Sequence, residues 1–135
     1  MQLNTQQRGQ VAQLKIEQQA ILRGLVVSRP SIDARYDIVI DDGKILQRVQ
    51  VKYASGKPSH SNGAVNIPLR KQHKNRALTY SGIEVDMILV YVPEVDKIVR
   101  LLPEHFSGKQ QVVIRFKPPT NGQLKGVNRI EDFLW

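Results

Sequence analysis

The chain contains no cysteine, which excludes disulfides, thiolate nucleophiles and any zinc site built on cysteine. It is also short of negative charge: 12 Asp and Glu stand against 20 Lys and Arg, for a formal net charge of +8 and a pI near 10.0. No apolar run approaches the roughly 18 residues that a membrane-spanning helix needs. The N-terminal segment, rich in glutamine, lacks the basic-then-apolar order of a signal peptide. These absences lead to the expectation of a soluble, cytoplasmic protein without membrane contact. What is present suffices for one domain, residues 1–135, with a modest apolar core. The excess of cations favours a polyanionic partner, because each cation set against a phosphate releases condensed counterions. Nucleic acid comes first among such partners, although ribosomal proteins and proteins of membrane surfaces carry the same sign of charge.

The chain is organised around residues 35–53. Asp42-Gly43 suits a two-residue type I′ turn, since Gly accepts φ > 0 and Asp tolerates it better than most residues. Such a turn sets Asp41 opposite Lys44 and Ile40 opposite Ile45 in a β-hairpin. One face then carries Tyr36, Ile38, Ile40, Ile45, Val49, Val51 and Tyr53, interrupted by Gln47, and belongs to the core. The other collects Arg35, Asp37, Val39, Leu46, Arg48, Gln50 and Lys52. Asp37 and Gln50 become diagonal neighbours at about 7–8 Å, with Lys52 on the same side, so their oxygens can share one small ion. This set fits phosphodiester hydrolysis. Hard oxygen ligands hold a divalent cation that neutralises charge and acidifies a bound water, and an ammonium orients or polarises that water.

The order Asp37, then Gln50-Val51-Lys52, resembles the PD-(D/E)xK motif of restriction-fold nucleases. A bare Asp with Gln-x-Lys occurs in many hairpins, so the surrounding landmarks carry the weight. They are Arg8-Gly9-Gln10-Val11-Ala12-Gln13-Leu14-Lys15 on a helix, a stop at Gly24, Arg29-Pro30, the hairpin, and a nearly continuous apolar run from Val85 to Val92. In this order they resemble a small PD-(D/E)xK endonuclease family, in particular the homing endonucleases of cyanobacterial group I introns. The resemblance fades after Pro103. It implies an α/β, restriction endonuclease-like core in which a mixed central β-sheet is flanked by helices, one of them running through Leu78 and Tyr80. It further implies site-specific, Mg2+-dependent cleavage of double-stranded DNA in the service of intron mobility, with Mn2+ or Ca2+ able to take the same site. Asp37 and Gln50 would hold the metal, and Lys52 would polarise the attacking water. One site cuts one strand, so a double-strand break needs a homodimer at least, and the family implies a tetramer. A restriction-type or Holliday-junction nuclease of the same fold, and a non-catalytic basic DNA-binding module, stand as alternatives.

Asn4-Thr5 offers a cap for a first helix in which Val11, Leu14, Ile21, Leu22 and Leu25 recur at helical spacing, ended by Gly24. The family places a glutamate on this helix to complete the metal site, and the matching position here is Gln13. Two readings follow: Glu17, one turn on, replaces that carboxylate, or Gln13 is the isosteric change that disables hydrolysis while leaving DNA binding intact. With Gln50 also uncharged, Asp37 is the one certain carboxylate, and magnesium affinity without DNA should be weak.

Residues 55–76 form the expected DNA-reading loop or β-ribbon. Lys57, His60, Asn62, Asn66, Arg70, Lys71, His73, Lys74 and Arg76 are the types that hold phosphates and read base edges, although His60 and His73 also suit ordinary surface roles. Arg29 and Arg35 flank the site and either meet phosphate or pair with Asp33. Val85–Val92 reads as a doubly covered central strand with residues 97–102 as partner, and Asp86 at its start reads as structural. Residues 103–135 form a C-terminal extension: a short helical turn, an edge strand near 110–117, and a Pro/Gly loop with Lys117 and Lys125 available to phosphate. The apolar ending through Trp135 is expected to dock on the core or on a partner subunit.

Overall fold

The computed structural model describes residues 2–56, 62–73, 76–118, 122 and 126–135, and for 71–73 and 76–77 the backbone alone. Helix α1, Thr5–Leu22, begins at Asn4. The Asn4 side chain accepts from the Gln7 N–H at 2.8 Å while Gln7 Oε1 accepts from the Asn4 N–H at 2.9 Å, a reciprocal cap that satisfies two otherwise orphaned donors. Gly24, with φ +75, turns the chain away after the last helical turn. The strands are β1 (Val26–Ser28), β2 (Ile38–Asp41), β3 (Leu46–Tyr53), β4 (Ala64–Pro68), β5 (Arg70–His73), β6 (Arg76–Thr79), β7 (Met87–Val92), β8 (Lys97–Leu101) and β9 (Gln111–Arg115); a short helix α2 spans Pro103–Phe106.

Five strands form the central sheet in the order β1-β2-β3-β7-β8. It is mixed: β3 and β7 run parallel, and the remaining neighbours are antiparallel. Strand β7 is buried along its whole length, as its unbroken apolar run requires. Met87, Leu89 and Tyr91 face α1, where they pack with Ala12, Ile16, Ile38, Ile40 and Val49. Ile88, Val90 and Val92 face a second cluster with Val65, Ile67, Leu69, Tyr80, Phe106 and Ile114. That face is covered by the two-stranded β4–β9 ribbon and by α2. A parallel pair needs a crossover, usually helical. Here the connection between β3 and β7 carries β4 and the β5–β6 hairpin, and Arg70↔Thr79 and Lys71↔Leu78 are paired. The helix expected through Leu78 and Tyr80 is therefore replaced by strand pairing, in which the two segments satisfy each other's backbone groups.

Two further expectations are corrected. The hairpin between β2 and β3 does not turn on two residues. Asp41 lies opposite Leu46 and Ile40 opposite Gln47, because the Asp42 carboxylate accepts from the N–H groups of Lys44 and Ile45, and Asp41 accepts from Gly43. These side-chain acceptors stabilise a longer loop over the type I′ turn. A shift of two residues leaves every β3 side chain on its expected face, but Ile45 enters the loop and is 57% exposed. On α1, the buried face is Ala12, Ile16 and Ala20, whose small members let the helix approach the sheet closely. Leu14, Ile21 and Leu22 stand outward instead, at 51%, 69% and 72% exposure. The edge strand expected near 110–117 is β9, which pairs with β4 in a two-stranded sheet of its own. The C-terminus does dock: Leu134 bridges to Val99, Trp135 N–H donates to Ile98 O, and Arg23 lies 4.2 Å from the Trp135 ring. This closes the β8 edge, which would otherwise present unpaired backbone.

Candidate active site

Strand β3 sets the site. Val49, Val51 and Tyr53 pair with Met87, Leu89 and Tyr91, and Gln50 and Lys52 pair with Ile88 and Val90. Alternation then points Gln50 and Lys52 away from α1, toward the side covered by β4–β9. Asp37 sits one residue before Ile38, the first paired position of β2. Its N–H donates to Val49 O at 2.9 Å, and its carboxylate accepts from the Val51 N–H at 2.8 Å. The aspartate thus takes over a backbone donor of β3 and is locked beside Gln50. A carboxylate has about four lone-pair sites, so this bond is compatible with ion binding.

Tyr80, 2% exposed, is the floor on which the charged groups meet. Lys52 Nζ lies 5.1 Å and Arg35 Cζ 5.3 Å from its ring centroid, within the range of cation–π attraction. Burial pushes the Tyr80 hydroxyl up, the Arg35 charge opposes this, and the Asp37 charge adds to it. Two cations therefore lie against a single ring, and the Asp37 charge acts on its hydroxyl. The sequence carries no local signal for Tyr80, which reaches the site only because the β5–β6 hairpin ends there.

Several assigned residues are held by partners. The Arg29 fork grips Glu17 at 2.7 and 2.9 Å, and Arg35 Nε lies 3.0 Å from Glu84 Oε2 while its Nη2 donates to Thr79 O. Neither pairs with Asp33, and Glu17 is engaged by Arg29. Asp86 is bound by the Arg48 fork and the Arg48 N–H, at 3.0, 3.1 and 2.7 Å, while Arg48 Nη1 donates to Ile83 O. This ties the loop before β7 to β3. Gln13 lies half-buried on α1, the helix on the other face of the sheet, one turn beyond Gly9. Gly9 lines a cleft of about 430 Å³ shared with Arg8, Lys52, Ser55 and Asn66.

Of the DNA-contact candidates, Asn62 and Lys117 come together. Arg115 Nη2 donates to Asn62 O at 2.9 Å, and the Lys117 N–H donates to Gly63 O. Gly63, with φ +74, has the Lys117 side chain where a Cβ would stand. Arg70 is exposed at the start of β5. Lys71, His73 and Arg76 fall on the β5–β6 backbone; Lys57, His60, Lys74 and Lys125 lie outside the described residues. Among the described residues no group of three or more His, Cys, Asp or Glu could hold a metal ion. The oxygen-bearing residues that the strand register sets side by side are Asp37 and Gln50, one carboxylate and one amide, types suited to a hard cation that keeps water and takes substrate oxygens.

A mixed sheet whose central parallel strand carries an amide and a lysine beside an aspartate on the neighbouring strand is the framework of a restriction-fold nuclease. The chain belongs to the PD-(D/E)XK endonuclease family, whose model matches residues 3–135. Among solved structures it is similar to a bacterial homing endonuclease, I-Ssp6803I. The TM-score is 0.78 at 25% sequence identity, covering 98% of this chain and 89% of that one. A comparison with curated proteins finds no match. The family establishes a DNA endonuclease. No helix among the described residues is long and apolar enough to cross a membrane.

Proposed function

We propose that the protein is a site-specific homing endonuclease that hydrolyses phosphodiester bonds of double-stranded DNA with Mg2+, in the cytoplasm, and so promotes intron mobility. The observation that carries this reading is Asp37 bonded to the Val51 N–H, next to Gln50 and Lys52 on one face of β3, with Lys52 and Arg35 over the Tyr80 ring. Asp37 and Gln50 would hold the metal, which when bound would acidify a water and neutralise charge on the phosphate. Lys52, held over the Tyr80 ring, presents its ammonium to the scissile phosphate and orients the attacking water. Residues 55–76 would read the DNA, with Asn66 on β4, Asn62 and Lys117 beside the β4–β9 ribbon and Arg70 at the start of β5. Gln13 leaves the site one carboxylate short, so the chain as it stands cleaves slowly and binds metal weakly without DNA. A double-strand cut needs two sites. The outward stripe Leu14, Ile21 and Leu22 supports burial against another copy, in a dimer that doubles to a tetramer.

The test is cleavage of supercoiled and linear DNA with Mg2+. Gln13→Glu is expected to raise the cutting rate, and Lys52→Met, made in that variant, to abolish it. Binding that persists in Gln13→Glu without cutting of any DNA would instead support a non-catalytic binding module. Preference for four-way junctions regardless of sequence would support a junction-resolving nuclease.

A further inference from the structure

We propose that the cleft between the start of α1 and the β3–β4 corner is a subsite for a backbone phosphate of the bound DNA strand next to the scissile one, with Arg8 as its ligand. The subsite deepens the endonuclease reading and rests on it. The cleft measures about 430 Å³, within the roughly 300–1,000 Å³ of sites for organic ligands and too large for a lone ion. Arg8 and Lys52 line it, and none of the described lining residues is acidic. Lys52 is also the ammonium of the candidate active site, so whatever fills the cleft is continuous with the scissile position.

Arg8 differs from the three arginines that carboxylates hold. Arg29, Arg35 and Arg48 each have a carboxylate partner, Glu17, Glu84 and Asp86 respectively. Arg8 is half-buried and has no acidic partner among the described residues, and the first turn of its helix carries no acidic residue. A cation in a cleft whose described walls hold no counter-charge attracts an anion, and the guanidinium fork matches phosphate oxygens. In the sequence Arg8 is one residue of the first helix among others; the fold of β3 and β4 sets it in the wall of the cleft.

The experiment measures DNA affinity of the full chain by fluorescence anisotropy across a salt series, on a target duplex and a random one, without divalent metal. For Arg8→Gln the log–log salt slope is expected to become less negative by about 0.9, the value of one phosphate contact, with equal loss on both duplexes. Arg8→Lys, which keeps the charge, is expected to retain the parental slope; it also serves if the glutamine variant does not fold. An unchanged slope in Arg8→Gln overturns the proposal. So does a loss confined to the target duplex, which would mean a base contact, or inorganic phosphate binding to the cleft with DNA affinity unaffected. Failure of the endonuclease reading is seen separately, as binding by Gln13→Glu without cutting of any DNA.

Discussion

Replacement of Asp37 separates its two roles, because Asn preserves one and removes the other. In the folded chain the carboxylate accepts from the Val51 N–H at 2.8 Å. A hydrogen bond to a charged group contributes about 1.5–3 kcal/mol, and a neutral one about 0.5–1.5 kcal/mol. Asp37→Asn keeps an amide oxygen in place and should cost about 1 kcal/mol. Asp37→Ala strands the Val51 donor and should cost about 1–3 kcal/mol, toward the lower half since the residue is half-buried. Cleavage responds differently. Asn removes the one carboxylate of the Asp37 and Gln50 pair, and losing a preorganised electrostatic contact of this kind costs about 10²–10³ in rate, or 2.7–4 kcal/mol. Urea denaturation should therefore rank the parent, Asn and Ala in descending stability, while plasmid cleavage with Mg2+, measured in the Gln13→Glu variant, should fall nearly as far for Asn as for Ala. An Asn variant that cuts within about tenfold of the parent would refute the reasoning that the charge at Asp37 serves the chemistry.

Two other outcomes follow from the same structure. The Arg48 fork holds the Asp86 carboxyl below its ordinary value of 3.8. The pair's stabilisation is therefore present above that pH and lost as pH falls through the lower folded value. With side chains 36% and 34% exposed, solvent screening leaves about 1 kcal/mol. Asp86→Asn should be less stable by that amount at neutral pH and should converge with the parent in acid; a gap that stays constant down to pH 2 would contradict it. Leu22→Glu places a charge in the outward stripe of α1 and, because Leu22 is 72% exposed, should leave the melting temperature of the monomer nearly unchanged while lowering the assembly state seen by light scattering. An unaltered oligomer in that variant would remove the stripe from the interface.

The sequence by itself determined the elements whose cause is local or periodic. Asn4 and Gly24 bound α1, the run from Val85 to Val92 is buried on both faces, and period-two alternation places Gln50 and Lys52 on one side of β3 whatever the hairpin register. That last point is why the candidate site survived a turn that came out two residues longer than expected, since Asp41 and Asp42 captured the loop N–H groups. Only the tertiary structure decided which side of α1 meets the sheet. Periodicity marks an apolar stripe but cannot tell a face that packs within the chain from one left for a partner, and the close contact went to Ala12, Ile16 and Ala20. It also decided that strands replace the crossover helix, that Glu17 and Glu84 take Arg29 and Arg35, and that Tyr80 underlies Lys52. Each of these depends on groups far apart in the chain competing for one partner, and that competition has no trace in local spacing.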